Sequence, residues 1–199
     1  DLFSATAGCS VETILDLIVQ ALRALIYLHS FHIFHFDIKA ANVLLTLGEP
    51  PQVKMIDFGL ATPDPQRKIM GTPSYIAPEI INRELPDGRA DLYSLGVLFY
   101  YCLTRKNPFR GKGIQETLSQ QQSLTPPSPS TINPDVPPYI DTIIMRLLEK
   151  NPAHRFQRGE DVIEELNRIG PKKFPQETTD TLLSYLPEEG KLIGQQKQW

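Results

Sequence analysis

The sequence is short of several things that would have classified it at once. It has two cysteines in 199 residues, Cys9 and Cys102, too few and too far apart for a disulfide scaffold or a metal-ligand spacing. Cys102 stands in an apolar run and reads as a reduced, buried thiol rather than half of a disulfide. Charge of one sign is also lacking. Twenty Lys and Arg against 23 Asp and Glu leave a formal charge of −3, which gives no electrostatic reason to bind nucleic acid or an anionic membrane surface. No apolar run approaches the ~20 residues of a membrane span. No basic-then-apolar leader opens the chain either, so the reading is of a soluble, cytoplasmic protein with no membrane partner. Internal repeats and heptads are absent. What is present is ordinary globular composition, 41% hydrophobic and 22% charged, over a length that suits one domain or a domain plus a tail. Proline is the excess: there are 18, about twice the usual share.

Periodicity divides the chain. Ile14, Leu15, Ile18, Leu22, Leu25, Ile26 and Leu28 recur at spacings of three and four, which predicts a helix from Val11 to His29 with Ser10 as its cap. Val43–Thr46 and Val53–Ile56 are short β-prone runs joined by a loop holding Gly48, Pro50 and Pro51, a hairpin. From Gly59 to Pro86 no strong period appears, and a loop of that length in a compact domain is usually functional or disordered. Asp91 to Leu103 is helical and apolar around nearly its whole circumference, so it belongs in the middle of the domain. A polar helix is expected near Gly113–Gln122, then a proline-dense connection from Pro126 to Pro138. Two more helices follow at about Tyr139–Lys150 and Glu160–Ile169. Beyond Gly170 the pattern fades into a mixed polar tail.

The residues with chemistry cluster around the hairpin. Ahead of it stands His35-Phe36-Asp37-Ile38-Lys39-Ala40-Ala41-Asn42, and its second strand runs into Asp57-Phe58-Gly59. A short hairpin returns Asn42 and Asp57 to the same end. Further on come Gly71-Thr72-Pro73-Ser74-Tyr75-Ile76-Ala77-Pro78-Glu79, then Asp91-Leu92-Tyr93-Ser94-Leu95-Gly96, and finally Asn151-Pro152-Ala153-His154-Arg155. Taken singly, each has a plain explanation. A His-x-Asp on a loop is usually a surface or capping pair, Asp-Phe-Gly is a common turn, and Arg67-Lys68 suits a solvated loop tip.

In this order the segments resemble the catalytic loop, the metal-binding segment, the docking loop and the lower helices of eukaryotic-like serine/threonine protein kinases. The resemblance covers residues 1 to 170 and is carried by the joint order. It implies a mainly α (α+β) fold: the large, C-terminal lobe of a kinase, a helical bundle with a short antiparallel hairpin bearing the site. Residues 171–199 are then a linker or tail. The implied reaction is ATP-dependent phosphoryl transfer to Ser or Thr of a protein, with ATP and Mg²⁺ as cofactors. Such transfer needs a positioned nucleophile and neutralised charge more than covalent help. By resemblance, Asp37 orients the substrate hydroxyl and takes its proton, and Lys39 reaches the transferred phosphoryl group. Thr72 bonds Asp37 and Lys39 and seats the substrate. Asn42 and Asp57 offer oxygen to magnesium, and Leu44 packs beneath the adenine. His35, Phe58 and Gly59 are motif positions, Gly59 permitting the turn past the metal ligand. Glu79 and Arg155 form a buried ion pair, and Asp91 holds the catalytic loop by its backbone amides.

The sequence also departs from the pattern. No Gly-x-Gly-x-x-Gly and no Val-Ala-Ile-Lys-like strand occurs, so the expectation is of a kinase lacking its upper lobe, inactive by itself and active in its parent. Phe36 replaces the arginine that binds an activation-loop phosphate in most of the family. Between Asp57 and Gly71 the only hydroxyl residue is Thr62, so the expected loop is held without phosphorylation. The alternative is that Phe36 is a packing substitution with regulation unchanged. Ala40 and Ala41 replace a frequent Pro-Glu without removing a catalytic group. The end, Leu192 to Trp199, resembles the opening of ATPase domains fused behind bacterial kinases, without the arginine and glutamate of that motif; a plain linker is the alternative. The rival functions are a pseudokinase-like module that binds nucleotide or a partner, and a small-molecule kinase of the same fold. Asp37, Lys39, Asn42 and Asp57 argue against the first, and the docking loop argues against the second.

Overall fold

The computed structural model of the chain describes residues 1–46, 50–57 and 71–175. Nine elements recur in the discussion below: α1 (Leu2–Ala5), α2 (Val11–Ser30), β1 (Val43–Leu45), β2 (Val53–Met55), α3 (Pro78–Ile81), α4 (Gly88–Thr104), α5 (Ile114–Ser123), α6 (Pro138–Leu147) and α7 (Gly159–Ile169). Short 3₁₀ turns at Ala40–Asn42, Pro129–Thr131 and Pro152–His154 link them.

Helix α4 is the axis. Fourteen of its 17 residues are buried, including Leu92, Tyr93, Leu95, Val97, Leu98, Phe99 and Tyr100, because α2, α6 and α1 pack around it. A side chain at Gly96 would strike the Cβ of Leu147 at 2.7 Å, so glycine there sets how closely α4 and α6 approach. Helix α2 buries Ile14, Leu15, Ile18, Leu22, Leu25 and Ile26 along the stripe its periodicity predicts. Ser10 caps it, its hydroxyl accepting from the Thr13 amide at 3.1 Å.

Among the described residues the sheet is one antiparallel pair, with Leu44 opposite Lys54. Two strands alone are marginal in water. Here Gln20 of α2 ties the second strand down: its Oε1 accepts from the Val53 amide at 2.9 Å, and its Nε2 donates to the Pro51 carbonyl at 3.4 Å. The hairpin is thereby fixed to the helical body, where its ends carry the candidate site.

Several boundaries move from the sequence expectation for local reasons. Helix α4 starts before the apolar run because Asp87 caps it, accepting from the Arg89 amide at 2.9 Å. The stretch without period contains α3, whose four residues are too few to show one. The prolines begin structure as well as break it. Pro78 and Pro138 open α3 and α6, and Pro129 and Pro152 open 3₁₀ turns, where a missing N–H costs nothing. Residues 171–175 fold onto the body, unlike the fading pattern. Phe174 is buried, its amide and carbonyl bond the Asn167 side chain, and Lys172 pairs with Glu12 and Asp16 of α2.

Candidate active site

The segment between α2 and β1 is bent over one buried carboxylate. Asp91, in the first turn of α4 and fully buried, accepts from the amide of His35 at 2.8 Å and from that of Phe36 at 2.7 Å. His29 of α2 donates to the same carboxylate at 2.9 Å. These bonds hold Phe36 at φ 58°, a left-handed conformation that costs a non-glycine residue energy. The next residue, Asp37, is thereby turned out of the core. His35 itself is buried, and its Nε2 donates to the Ile56 carbonyl at 3.0 Å, tying the loop to the end of β2.

Asp37 is where the separate segments meet. Its Oδ1 accepts from both the hydroxyl and the amide of Thr72, at 2.9 and 3.1 Å. Its Oδ2 accepts from Lys39 Nζ at 2.5 Å and from Asn42 Nδ2 at 3.1 Å. Thr72 and Lys39 therefore occupy different oxygens of one carboxylate. They share Asp37 instead of bonding each other among the described residues, because each donor takes its own oxygen. Thr72 is brought close by Gly71, whose φ of 104° suits glycine and whose missing side chain would have met the Phe36 carbonyl at 3.0 Å.

Asn42 spends its amide hydrogens on Asp37, donating to the backbone carbonyl at 2.9 Å as well as to the carboxylate. That leaves its Oδ1 as an acceptor with no hydrogen bond among the described residues. The Ile56 amide donates to the Asn42 carbonyl at 3.0 Å, so Asp57 stands one residue from that junction. Asp57 is exposed, sits at φ 65°, and its carboxylate makes no hydrogen bond among the described residues. Two oxygen donors without a hydrogen-bond partner among the described residues, at adjacent ends of the hairpin, fit a hard cation that keeps phosphate or water as its other ligands. Leu44, on β1, is 36% exposed.

Behind the loop lies the second assembly. Arg155 is fully buried and satisfies all five of its N–H groups. It makes two bonds to the Glu79 carboxylate, at 2.7 and 2.8 Å, and one each to the carbonyls of Glu149, Arg89 and Lys150. Its guanidinium lies 4.7 Å from the centre of the Tyr93 ring. The pair joins α3, at the end of the Gly71–Glu79 segment, to the turn before α7.

Residues 1–166 match the family model described as "Protein kinase domain". The chain belongs to the protein kinase family. Its relatives include a probable serine/threonine-protein kinase of Streptomyces coelicolor, 36% identical over 159 residues, which is 76% of this chain and 23% of the relative. A serine/threonine-protein kinase of Myxococcus xanthus is 38% identical over 159 residues, 75% of this chain and 22% of the relative. One from Mycolicibacterium smegmatis is 31% identical over 169 residues, 81% of this chain and 27% of its own length. The chain thus spans about a quarter of the length of these curated relatives.

Within this kinase-family chain, the structure brings Asp37, Lys39, Asn42 and Thr72 into one hydrogen-bonded cluster and sets Asp57 beside it. His35 and Asp91 lie immediately behind. Glu79 and Arg155 meet each other but touch none of the cluster directly. Phe58, Gly59, Thr62, Arg67 and Lys68 lie outside the described residues, as do 176–199 with the stretch Leu192 to Trp199. Among the described residues no helix is long and apolar enough to cross a membrane.

Some participants gave no sequence signal. His29 reads as the polar end of an apolar helix, yet it donates to Asp91. Asn107 donates to the Ser74 carbonyl at 3.4 Å, whereas Ser94, inside the Asp91–Gly96 segment already singled out, donates to the Tyr75 carbonyl at 2.8 Å. Gln121 is one of three successive glutamines, and only its complete burial distinguishes it from its neighbours.

Proposed function

We propose that this chain is the large lobe of a serine/threonine protein kinase that transfers the terminal phosphate of ATP to a Ser or Thr hydroxyl of a protein. The observation that carries the reading is the Asp37 carboxylate, held on one oxygen by the docking loop and on the other by the catalytic loop. In this role Asp37 orients the incoming hydroxyl and receives its proton. Lys39, 2.5 Å from Asp37, extends toward the phosphoryl group in flight. Asn42, through Oδ1, and Asp57 would hold magnesium, which when bound neutralises charge on the phosphates. Leu44 offers an apolar surface to the adenine. Thr72, fixed to Asp37 by two bonds, couples the seat of the peptide to the catalytic carboxylate. Supply of ATP and a reduced Cys102 both suit action in the cytoplasm.

The sequence holds neither the glycine-rich phosphate cover nor the strand lysine. In this proposal the parent protein supplies them, and the 199-residue chain by itself binds ATP weakly and transfers phosphate poorly. Phe36 supports a further part of the reading. It is buried and packs 5.7 Å from Phe34, an apolar position with nothing to offer a phosphate. Activation therefore proceeds without a phosphorylated loop, and mass spectrometry of the active parent should find no obligatory phosphate at Thr62.

The test of the main reading is phosphate transfer from radiolabelled ATP to a generic protein substrate, by the parent and by this chain. Asp37→Asn in the parent should lower kcat by about 10²- to 10⁴-fold, the usual worth of a positioned acid or base. An active parent indifferent to Asp37→Asn would remove the assignment. Turnover by the isolated chain equal to the parent's would remove the dependence on a supplied cover.

A further inference from the structure

Three successive carbonyls of the docking loop are each held by a side chain from outside it. Pro73 O accepts from Gln121 of α5 at 3.2 Å, Ser74 O from Asn107, and Tyr75 O from Ser94 of α4. The Gln121 bond is the one with a history behind it. Its Oε1 accepts from the Tyr93 hydroxyl at 2.5 Å, and that hydroxyl in turn accepts from Lys150 Nζ at 3.1 Å. Gln121 and Tyr93 are both fully buried.

Counting protons fixes the direction of this chain. An ammonium only donates, so the Tyr93 oxygen is the acceptor from Lys150 and must spend its own hydrogen on Gln121. The glutamine then has no choice of amide orientation. Its oxygen faces Tyr93 and its NH₂ faces the Pro73 carbonyl. Lys150 is held in place by the Phe109 ring, 4.0 Å from its nitrogen, and its backbone carbonyl accepts from Arg155. The relay thus runs from the buried ion pair to the residue beside Thr72.

We propose that Lys150, Tyr93 and Gln121 form a one-way hydrogen-bond relay that positions the docking loop at Pro73, so that Gln121 tunes how tightly the peptide substrate is seated. The inference rests on the kinase reading for its effect on peptides, and on geometry alone for its effect on the loop. Gln121 is a positioning residue; it acts through Pro73 and Thr72 and touches no reacting atom. Gln121→Glu is the informative substitution. At a pH where its carboxyl is ionised, it keeps the size and the acceptor for Tyr93 but turns the donor facing Pro73 into an acceptor, setting two oxygens against each other.

The experiment compares the parent protein with its Gln121→Glu and Gln122→Ala variants. Gln122 is the neighbouring glutamine, which bonds Asn82 on the surface at 2.7 Å. The expected result is a rise of about tenfold in peptide KM for Gln121→Glu, the scale of one lost bond with a buried acceptor left unpaired. The KM for ATP should stay within about twofold, and Gln122→Ala should match the wild type. Hydrogen exchange read over residues 71–76 should quicken in Gln121→Glu and in no other variant. An unchanged peptide KM with unchanged exchange overturns the relay. So does a parallel fall in kcat, ATP affinity and melting temperature, which would mean a merely structural residue. A wild-type parent that transfers no phosphate overturns the kinase reading instead, and the exchange at 71–76 then decides the relay by itself.

Discussion

Two regions of the molecule are built from charged side chains and treat them in opposite ways. At the edge of the hairpin, among the described residues, Asp57 is exposed with a free carboxylate and Asn42 keeps an uncommitted oxygen. In the layer beneath, Asp91, Glu79 and Arg155 are buried and their charges are fully engaged, Arg155 by all five of its donors. The difference teaches how the site is made. Charges removed from water must find fixed partners, because an unpaired one costs several kcal/mol. Charges meant for a ligand must keep lone pairs unspent, and can do so only where water covers them until the ligand arrives. Asp37 belongs to both regions, with its backbone placed by the layer and its carboxylate presented at the edge.

The comparison is broken most severely from the buried side. Arg155→Ala should destabilise the chain by about 3–5 kcal/mol, because Glu79 is left charged, buried and unpaired in α3. A urea-unfolding midpoint measures it, and a loss under 1 kcal/mol would mean that water reaches the pair. Asp91→Asn should cost about 1.5–3 kcal/mol, since an amide sets NH₂ against a donor where the carboxylate accepted from His35, Phe36 and His29. Hydrogen exchange at the His35 and Phe36 amides should quicken in that variant before the helices melt. At the edge, by contrast, Asp37→Asn should move the unfolding midpoint less than Asp91→Asn does, and on the proposed reading it lowers phosphate transfer by the parent about 10²- to 10⁴-fold.

The smallest effect sharpens the boundary between the regions. Burial, with Arg155 adding like-charge repulsion, pushes the Lys150 ammonium down to about 8. Between that value and the ordinary lysine range the unfolded chain binds more protons than the folded one, so stability contributed by this group rises with pH across that window. Wild type should therefore gain on a Lys150→Met variant as pH climbs from about 8 to 10.5, read as the difference in unfolding midpoints. Burial also pushes the Cys102 thiol up to about 11, an effect of opposite sign, but both proteins share it and it cancels. A flat difference would place Lys150 in water.

Much of this was legible in the residues. The apolar stripe of α2 and the all-round greasiness of α4 predicted what each buries, since helical burial follows a short period that one sequence displays. The hairpin that returns Asn42 and Asp57 to one end was legible in its two β-prone runs. The roles expected of Asp37, Lys39, Asn42 and Asp57 came only from the resemblance of their segments to the kinase family. The boundaries were less so. Asp87 as a cap and Pro138 as a first helical residue act through single hydrogen bonds or their absence, and leave no period.

What the sequence determined by itself, then, was where the apolar faces lie, which loop carries Asp37 and Lys39, and a formal charge of −3 that offers a polyanion no attraction. The tertiary structure alone decided the rest. It chose Gln121 from three identical neighbours, set His29 on Asp91, and gave each oxygen of Asp37 to a different segment. Such pairings join residues tens of positions apart, and they are selected by which polar groups are left without water once the helices close around α4.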